Sequence, residues 1–257
     1  MTSQDVVSIR SRDNPLVKDL RRLSQDSAAY RRQGRIWLEG DHLCRAALQR
    51  GWRPSIAVFA ESFWPGAKAE YTQAAPRNIV IADALVADIS GLESPAPMGF
   101  VIDLPDAPVV AAGQAAVVLD RVQDAGNVGS ILRSASAFGF AQVLALKGTA
   151  ALWSPKVLRA GMGAHFNLRL VEALSEQDLD ALELPLLVTS SHGGSLLHRA
   201  ALPWPCAWVM GHEGQGVSPA LEARAAHRIR IAQPGGEESL NVGAAAAICL
   251  HASGAGR

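Results

Sequence analysis

Three short polar segments, each just beyond an apolar run, hold the side chains best suited to chemistry. The first is Leu119-Asp120-Arg121-Val122-Gln123-Asp124-Ala125-Gly126-Asn127-Val128-Gly129-Ser130-Ile131-Leu132-Arg133. Val128, Ile131, Leu132, Ala135 and Phe138 fall at helical spacing and form an apolar stripe. Arg133 lies off that stripe. Gly129 and Ser130, one turn earlier, clear space around its guanidinium for a phosphate or ribose, although a salt-bridged surface arginine has the same pattern. The second segment is Gly211-His212-Glu213-Gly214-Gln215-Gly216 after the apolar Trp208-Val209-Met210. Its glycines allow left-handed torsions and close ligand approach, and Glu213 is its one carboxylate. The spacing GxxGxG differs from the dinucleotide fingerprint, and no P-loop lysine is present, so an NAD- or ATP-dependent reading loses its phosphate site. The third is Ser239-Leu240-Asn241-Val242-Gly243 ahead of four alanines, 244–247. Ser239 and Asn241 can cap a helix or hold a ligand, and the alanines leave room for another backbone.

Composition restricts the function class. The chain has 257 residues, 49% apolar and 19% charged, which predicts packed globular domains. A formal net charge of zero argues against broad nonspecific nucleic-acid binding by the whole chain. Residues 1–60, however, hold eleven Lys/Arg against six Asp/Glu. Arg10, Arg12, Lys18, Arg21, Arg22, Arg31, Arg32 and Arg35 carry most of that excess, as a solvated helix face or as an RNA-facing surface. Cys44, Cys206 and Cys249 are far apart and lack metal-ligand spacing, so they read as buried thiols in a reducing compartment. The polar N-terminus lacks a signal-peptide core, and no apolar run is long enough to span a membrane. A cytoplasmic protein without metal or membrane partner is expected.

The elements that must position the three segments alternate between strand and helix. A basic helix is expected over 16–35, a strand at 36–39, and a helix over 41–49 capped by Asp41. Strands at 55–60, 78–82 and 98–104 complete a small α/β domain over 1–104, with a Pro/Gly-rich linker at 105–113. A second α/β domain over 114–257 has expected strands at 116–120, 143–146, 186–190, 206–210 and 227–231. Its expected helices cover 127–138, 155–163, 218–226 and 240–251. Such spacing predicts a parallel sheet with its ligand crevice beyond the strand ends, where all three segments fall in order.

Together these segments resemble the SpoU (TrmH-like) RNA ribose 2′-O-methyltransferases of the SPOUT class. The matching residues are the stretch Asn127 to Arg133, the Gly211 to Gly216 loop, and Ser239-Leu240-Asn241-Val242. Residues 156–170, with Gly161, Gly163 and Phe166, resemble the family segment between the first two motifs. Ser11, Asn14, Pro15, Lys18 and Leu38-Glu39-Gly40 resemble an L30e-like RNA substrate-binding domain of rRNA-modifying members. The resemblance implies a C-terminal methyltransferase domain with a deep trefoil knot, an obligate homodimer, and S-adenosylmethionine (AdoMet) as cofactor. It places Gly211, Gly216, Ile231, Leu240 and Thr189 at the cofactor, and Asn127, Arg133, Glu213, Ser239 and Asn241 in the catalytic cluster. The implied substrate is rRNA in preference to tRNA. A tRNA methyltransferase, or a non-catalytic RNA-binding or ribosome-assembly factor of the same fold, is the alternative.

Methyl transfer from a sulfonium to a ribose hydroxyl requires alignment of oxygen, methyl carbon and sulfur, with loss of the hydroxyl proton. The family residue matching Arg133 is usually assigned as base. A guanidinium keeps its proton, so a clamp on phosphate and a stabiliser of the developing alkoxide fit arginine chemistry better. His212 is a conceivable proton acceptor. Ala125-Gly126 replaces a proline common in the first motif. The run 233–238 departs from the usual Pro-Met pattern, which affects loop geometry more than the catalytic set.

Overall fold

The computed structural model describes residues 5–190, 193–236 and 239–255. The chain divides into two compact units. One joins Met1–Asp106 with Trp153–Phe166, and the other joins Ala107–Leu152 with Asn167–Arg257.

In the first unit the chain runs β1 (Asp5–Ile9), α1 (Pro15–Gln25), α2 (Ala29–Gln33), β2 (Arg35–Glu39), α3 (Asp41–Gln49) and β3 (Ile56–Ala60). It continues through α4 (Ala69–Thr72), β4 (Arg77–Ile81), α5 (Asp83–Ile89) and β5 (Met98–Asp103). The sheet order is β1-β4-β3-β5-β2, with β5 antiparallel to both neighbours. The expected helix over 16–35 breaks into two. Asp26 ends α1 in extended geometry and its carboxylate accepts from Ala28 N, because an aspartate offers the backbone an alternative to the helix. Asp41 is not the cap of α3: Gly40, at φ 92°, holds that position and Asp41 supplies negative charge in the first turn. The eight cations of the N-terminal run are all engaged. Arg10 pairs with Glu61, Arg12 and Arg21 with Asp88, Lys18 with Asp13, Arg22 with Asp19, Arg32 with Asp26 and Arg35 with Asp103. Arg31 lies over the Tyr30 ring. That is the arrangement of a solvated, ion-paired face.

The second unit carries β6 (Ala116–Leu119), α6 (Ala125–Ala137) and β7 (Gln142–Leu146). After β7 the chain leaves to place α7 (Pro155–Gly161) in the first unit, where Trp52, Trp153 and Phe166 rings meet at 5.4–5.7 Å. It returns as β8 (Arg169–Leu174), β9 (Leu186–Thr189), β10 (Ser195–Leu196), β11 (Ala207–Met210), α8 (Pro219–Ala223), β12 (His227–Arg230) and α9 (Val242–Gly254). All seven strands are parallel, in the order β10-β12-β9-β11-β6-β7-β8. Ala116, Val118, Leu144, Val171, Val188 and Val209 pack one sheet face against Leu179, Leu182 and Leu221. α6 and α9 pack on each other, and the Trp208 indole donates to Ser253 Oγ of α9 at 2.8 Å. Buried Gln142 fastens the start of the unit by bonding Ala111 and Gln114.

Contiguous domains were the sequence expectation; the excursion at 153–166 departs from it, because Trp153 and Phe166 bury against Trp52. β1, α4, α5, β8 and β10 were not anticipated. α6 begins two residues earlier than expected, because Asp124 caps it through Asn127 N at 2.8 Å. The close approach of α6 and α9 falls on glycines more than on alanines. A Cβ at Gly254 would sit 2.1 Å from the Phe138 carbonyl oxygen, and one at Gly243 would sit 3.4 Å from the Ser130 side chain. Ala246 is buried, whereas Ala244 is exposed. Among the described residues no helix is long and apolar enough to cross a membrane, and no group of His, Cys, Asp or Glu could hold a metal ion.

Candidate active site

Glu213 organises the site. It sits in the loop between β11 and α8, and its carboxylate accepts three hydrogen bonds. Asp124 N donates to Oε1 at 3.0 Å, Asn127 Nδ2 to Oε1 at 3.1 Å, and Gln123 N to Oε2 at 3.2 Å. These donors belong to the turn from β6 into α6, where helix geometry leaves N–H groups free. Partial burial pushes the Glu213 pKa up, but hydrogen bonds from the backbone N–H of Asp124, the Asn127 amide and the backbone N–H groups of Glu213 itself and Gln123 outweigh it and lower the pKa to about 2. A carboxylate so stabilised is a poor proton acceptor near neutrality, so Glu213 is a tie between loops and not a general base. Its folded pKa lies below the unfolded value of 4.5, so its stabilising effect is complete above pH 4.5 and is lost as pH falls toward 2. Glu213→Gln is therefore expected to melt below the wild type at pH 7, with the difference closing between pH 4.5 and 2 in paired thermal melts. A constant difference across that window would rule this out.

Asn241 extends the arrangement to the third segment. Its Oδ1 accepts from Gly243 N at 2.9 Å and Ala244 N at 3.2 Å, which makes it the N-cap of α9. Its Nδ2 donates to Asn127 Oδ1 at 2.9 Å. One chain of hydrogen bonds therefore runs from the α9 terminus through Asn241 and Asn127 to Glu213. Gly243 lies against Ser130, one turn before Arg133. Glu237 and Glu238, just upstream, lie outside the described residues.

Arg133 and Ser239 are placed differently. Both are exposed, and neither side chain makes a hydrogen bond or ion pair with a described residue. Arg133 follows Asn127 by six residues on α6, roughly 9 Å along the axis, so it stands beside the hydrogen-bonded trio and not within it. His212 is an organiser of its loop: its Nδ1 accepts from Gly214 N at 3.0 Å and Gln215 N at 3.2 Å, and its backbone pairs with Gly216 in both directions. That occupied nitrogen weighs against a role as proton acceptor.

The proposed cofactor residues lie at strand ends and in the following loops. Thr189 ends β9 beside Ile229, Gly211 follows β11, and Ile231 follows β12. Gly211 is required by crowding: a Cβ there would lie 2.2 Å from the Gly216 carbonyl carbon and 2.3 Å from Val217 N. Gly211→Ala is expected to destabilise the loop by about 1–3 kcal/mol, as overpacking does, read as a lower melting temperature; wild-type melting would contradict it. Gly216, Gly235 and Gly236 instead open onto free space that side chains would fill. Leu240 is 39% exposed, and Ile231 is half-buried on the wall of an open apolar hollow of about 570 Å³ with Ala247 and Ile248. Bare backbone with apolar side chains nearby suits a nucleoside carrying a sulfonium tail. Gly211, Gly216, Leu240 and Thr189 are not among the walls of that hollow.

Sequence reasoning assigned no role to Asp120, Arg121, Asp124 or Gln215. Asp120 is 1% exposed and accepts from Ser218 N at 2.6 Å and from Arg121 at 2.8 Å. The available signal was a carboxylate directly following the apolar run Ala116-Val117-Val118-Leu119.

Comparison with known proteins bears on the family and the fold. The sequence profile described as the SpoU rRNA Methylase family matches residues 114–251, and the MRM3-like substrate binding domain matches residues 14–98. The chain is 32% identical to an uncharacterised tRNA/rRNA methyltransferase of Synechocystis, over 97% of this chain and 94% of that protein. It is 28% identical to the 23S rRNA (guanosine(2553)-2′-O)-methyltransferase RlmP of Bacillus subtilis, over 95% and 97% of the two chains. The AdoMet-bound rRNA methyltransferase structure from Sinorhizobium meliloti superposes with a TM-score of 0.82 at 26% identity, covering 96% of this chain and 97% of that one. With its three motif segments drawn together at the strand ends of one parallel sheet, the chain belongs to the SpoU rRNA methylase family.

Proposed function

We propose that this protein is an AdoMet-dependent methyltransferase that modifies a ribose 2′-hydroxyl in rRNA. The observation that carries the reading is the hydrogen-bond chain Asn241–Asn127–Glu213, which unites all three segments. AdoMet supplies an electrophilic methyl carbon on its sulfonium when bound, and the glycine-lined loops fit it. Arg133 grips a substrate phosphate and stabilises the developing alkoxide. Asn127 and Asn241 fix the face of α6 on which Arg133 stands, and Ser239 orients the target ribose. The substrate RNA lies on the first unit, where Arg77, Lys156 and Arg159 form no ion pair with a described residue.

The reading includes a homodimer and a trefoil knot. Exposed Leu240 and Ile248 and the apolar hollow beside α9 are surface that a second copy would bury. β12 enters the sheet between β9 and β10, strands laid down earlier in the chain, an order compatible with a threaded path. Three buried cysteines that form no disulfide suit a reducing cytoplasm. The test is ribose-methylation mapping of rRNA from cells with and without the protein, alongside methyl transfer from labelled AdoMet in vitro. Loss of one 2′-O-methyl mark without the protein is expected; methylation of a base would overturn the chemistry.

A further inference from the structure

Arg121 lies outside the proposed catalytic set, yet its side chain meets three strand-exit segments. Its Nε donates to Asp120 Oδ1 at 2.8 Å and its Nη2 to Asp120 Oδ2 at 3.2 Å. Nη1 donates to Gln215 Oε1 at 2.9 Å, and Nη2 also reaches the Gly216 carbonyl at 3.5 Å. Asp120 is buried, and its Oδ2 accepts from Ser218 N at 2.6 Å. A Cβ on Gly148, in the segment leaving β7, would lie 3.2 Å from Arg121 Cγ. One guanidinium thus ties the end of β6 to Gln215 and Gly216, its partner Asp120 holds Ser218 at the end of the same loop, and the β7 exit packs against its stem.

The backbone shows that this placement is not the local preference. Arg121 has φ 60°, in the left-handed region that glycine occupies freely and a side chain occupies under strain. Charge-assisted bonds to a buried carboxylate hold it there. The next residues in the chain include Gln123 and Asp124, whose amides grip Glu213, so the residue borders both walls of the site.

We propose that Arg121 is a positioning residue that clamps the 211–218 loop in its cofactor-receiving form; this rests on the AdoMet-dependent reading above. Arg121→Gly removes the clamp and relieves the backbone together. Its melting temperature is expected to fall, because the buried Asp120 carboxylate loses its charged partner and keeps Ser218 N. AdoMet affinity measured by calorimetry on the full chain is expected to weaken about tenfold, the result of a loop competent about a tenth of the time. In methyl-transfer kinetics KM for AdoMet rises while KM for RNA does not. Gln215→Ala cuts one arm without touching residue 121 and is expected to weaken AdoMet binding about threefold; it decides the matter if Arg121→Gly does not fold. Wild-type affinity in both variants, or a lowered melting temperature with wild-type affinity, overturns the clamp. A wild-type protein that does not bind AdoMet overturns the underlying reading instead.

Discussion

Arg133→Ala is expected to lower methyl transfer about a hundred- to thousandfold, the usual cost of removing one preorganised stabiliser of transition-state charge. AdoMet affinity should stay within about twofold, since exposed substitutions away from buried features shift free energies by about 0.5 kcal/mol or less. The structure makes this test clean. Arg133 is exposed on α6 and has no partner among the described residues, so truncation leaves no buried group unpaired. Alanine is also the better helix former. The lost rate must then come from the reaction itself. Negative charge develops on the ribose oxygen as its proton departs, and a guanidinium, which keeps its own proton, acts on that charge by field and hydrogen bonding. Arg133→Lys should fall between the two, because an ammonium retains the charge without the planar fork. Single-turnover transfer from labelled AdoMet, paired with calorimetry, gives both numbers. Near-normal turnover in Arg133→Ala would remove Arg133 from the mechanism.

Much of this architecture was legible in the residues. The apolar runs at 116–119, 142–146 and 207–210 are buried on both sides, as strands inside a parallel sheet must be, and the Ile36, Ile56 and Met98 runs mark their strands equally well. The missed elements have weaker local signals. β10 has two residues and exists by pairing with β12, while β1 has exposed Val6 and Val7 at a sheet edge. The excursion at 153–166 could not be read locally. Trp153 and Phe166 look like core residues of the domain around them, and only the packing shows that their partner is Trp52. The same limit governed the site. Asn127, Glu213 and Asn241 were identifiable from their segments, but the order of donors and acceptors between them is a property of tertiary contact. Arg121 was hidden for a different reason: its importance lies in a left-handed backbone torsion that no arginine advertises.

Asn241→Asp separates the structural role of the third segment from its proposed catalytic one. Asn241 does two things with two different atoms. Its oxygen caps α9, and its amide nitrogen donates to Asn127. Aspartate keeps the first and improves it, since a negative charge at a helix N-terminus is favourable. It cannot perform the second, because a carboxylate has no N–H. Asn127 then has no satisfactory orientation. With its nitrogen kept on Glu213, its oxygen faces the new carboxylate; turned around, its oxygen faces Glu213. Either orientation sets acceptor against acceptor beside the start of α6. Methyl transfer is expected to fall about ten- to hundredfold, the range for losing a hydrogen bond in a charged network, while α9 stays capped and the melting temperature holds. Asn241→Ala should also lose activity but differ in stability, losing about 1 kcal/mol of cap stability. If Asn241→Asp melts and turns over like the wild type, the link to Asn127 is packing alone, and the third segment serves the reaction only through Ser239 and the cofactor loop.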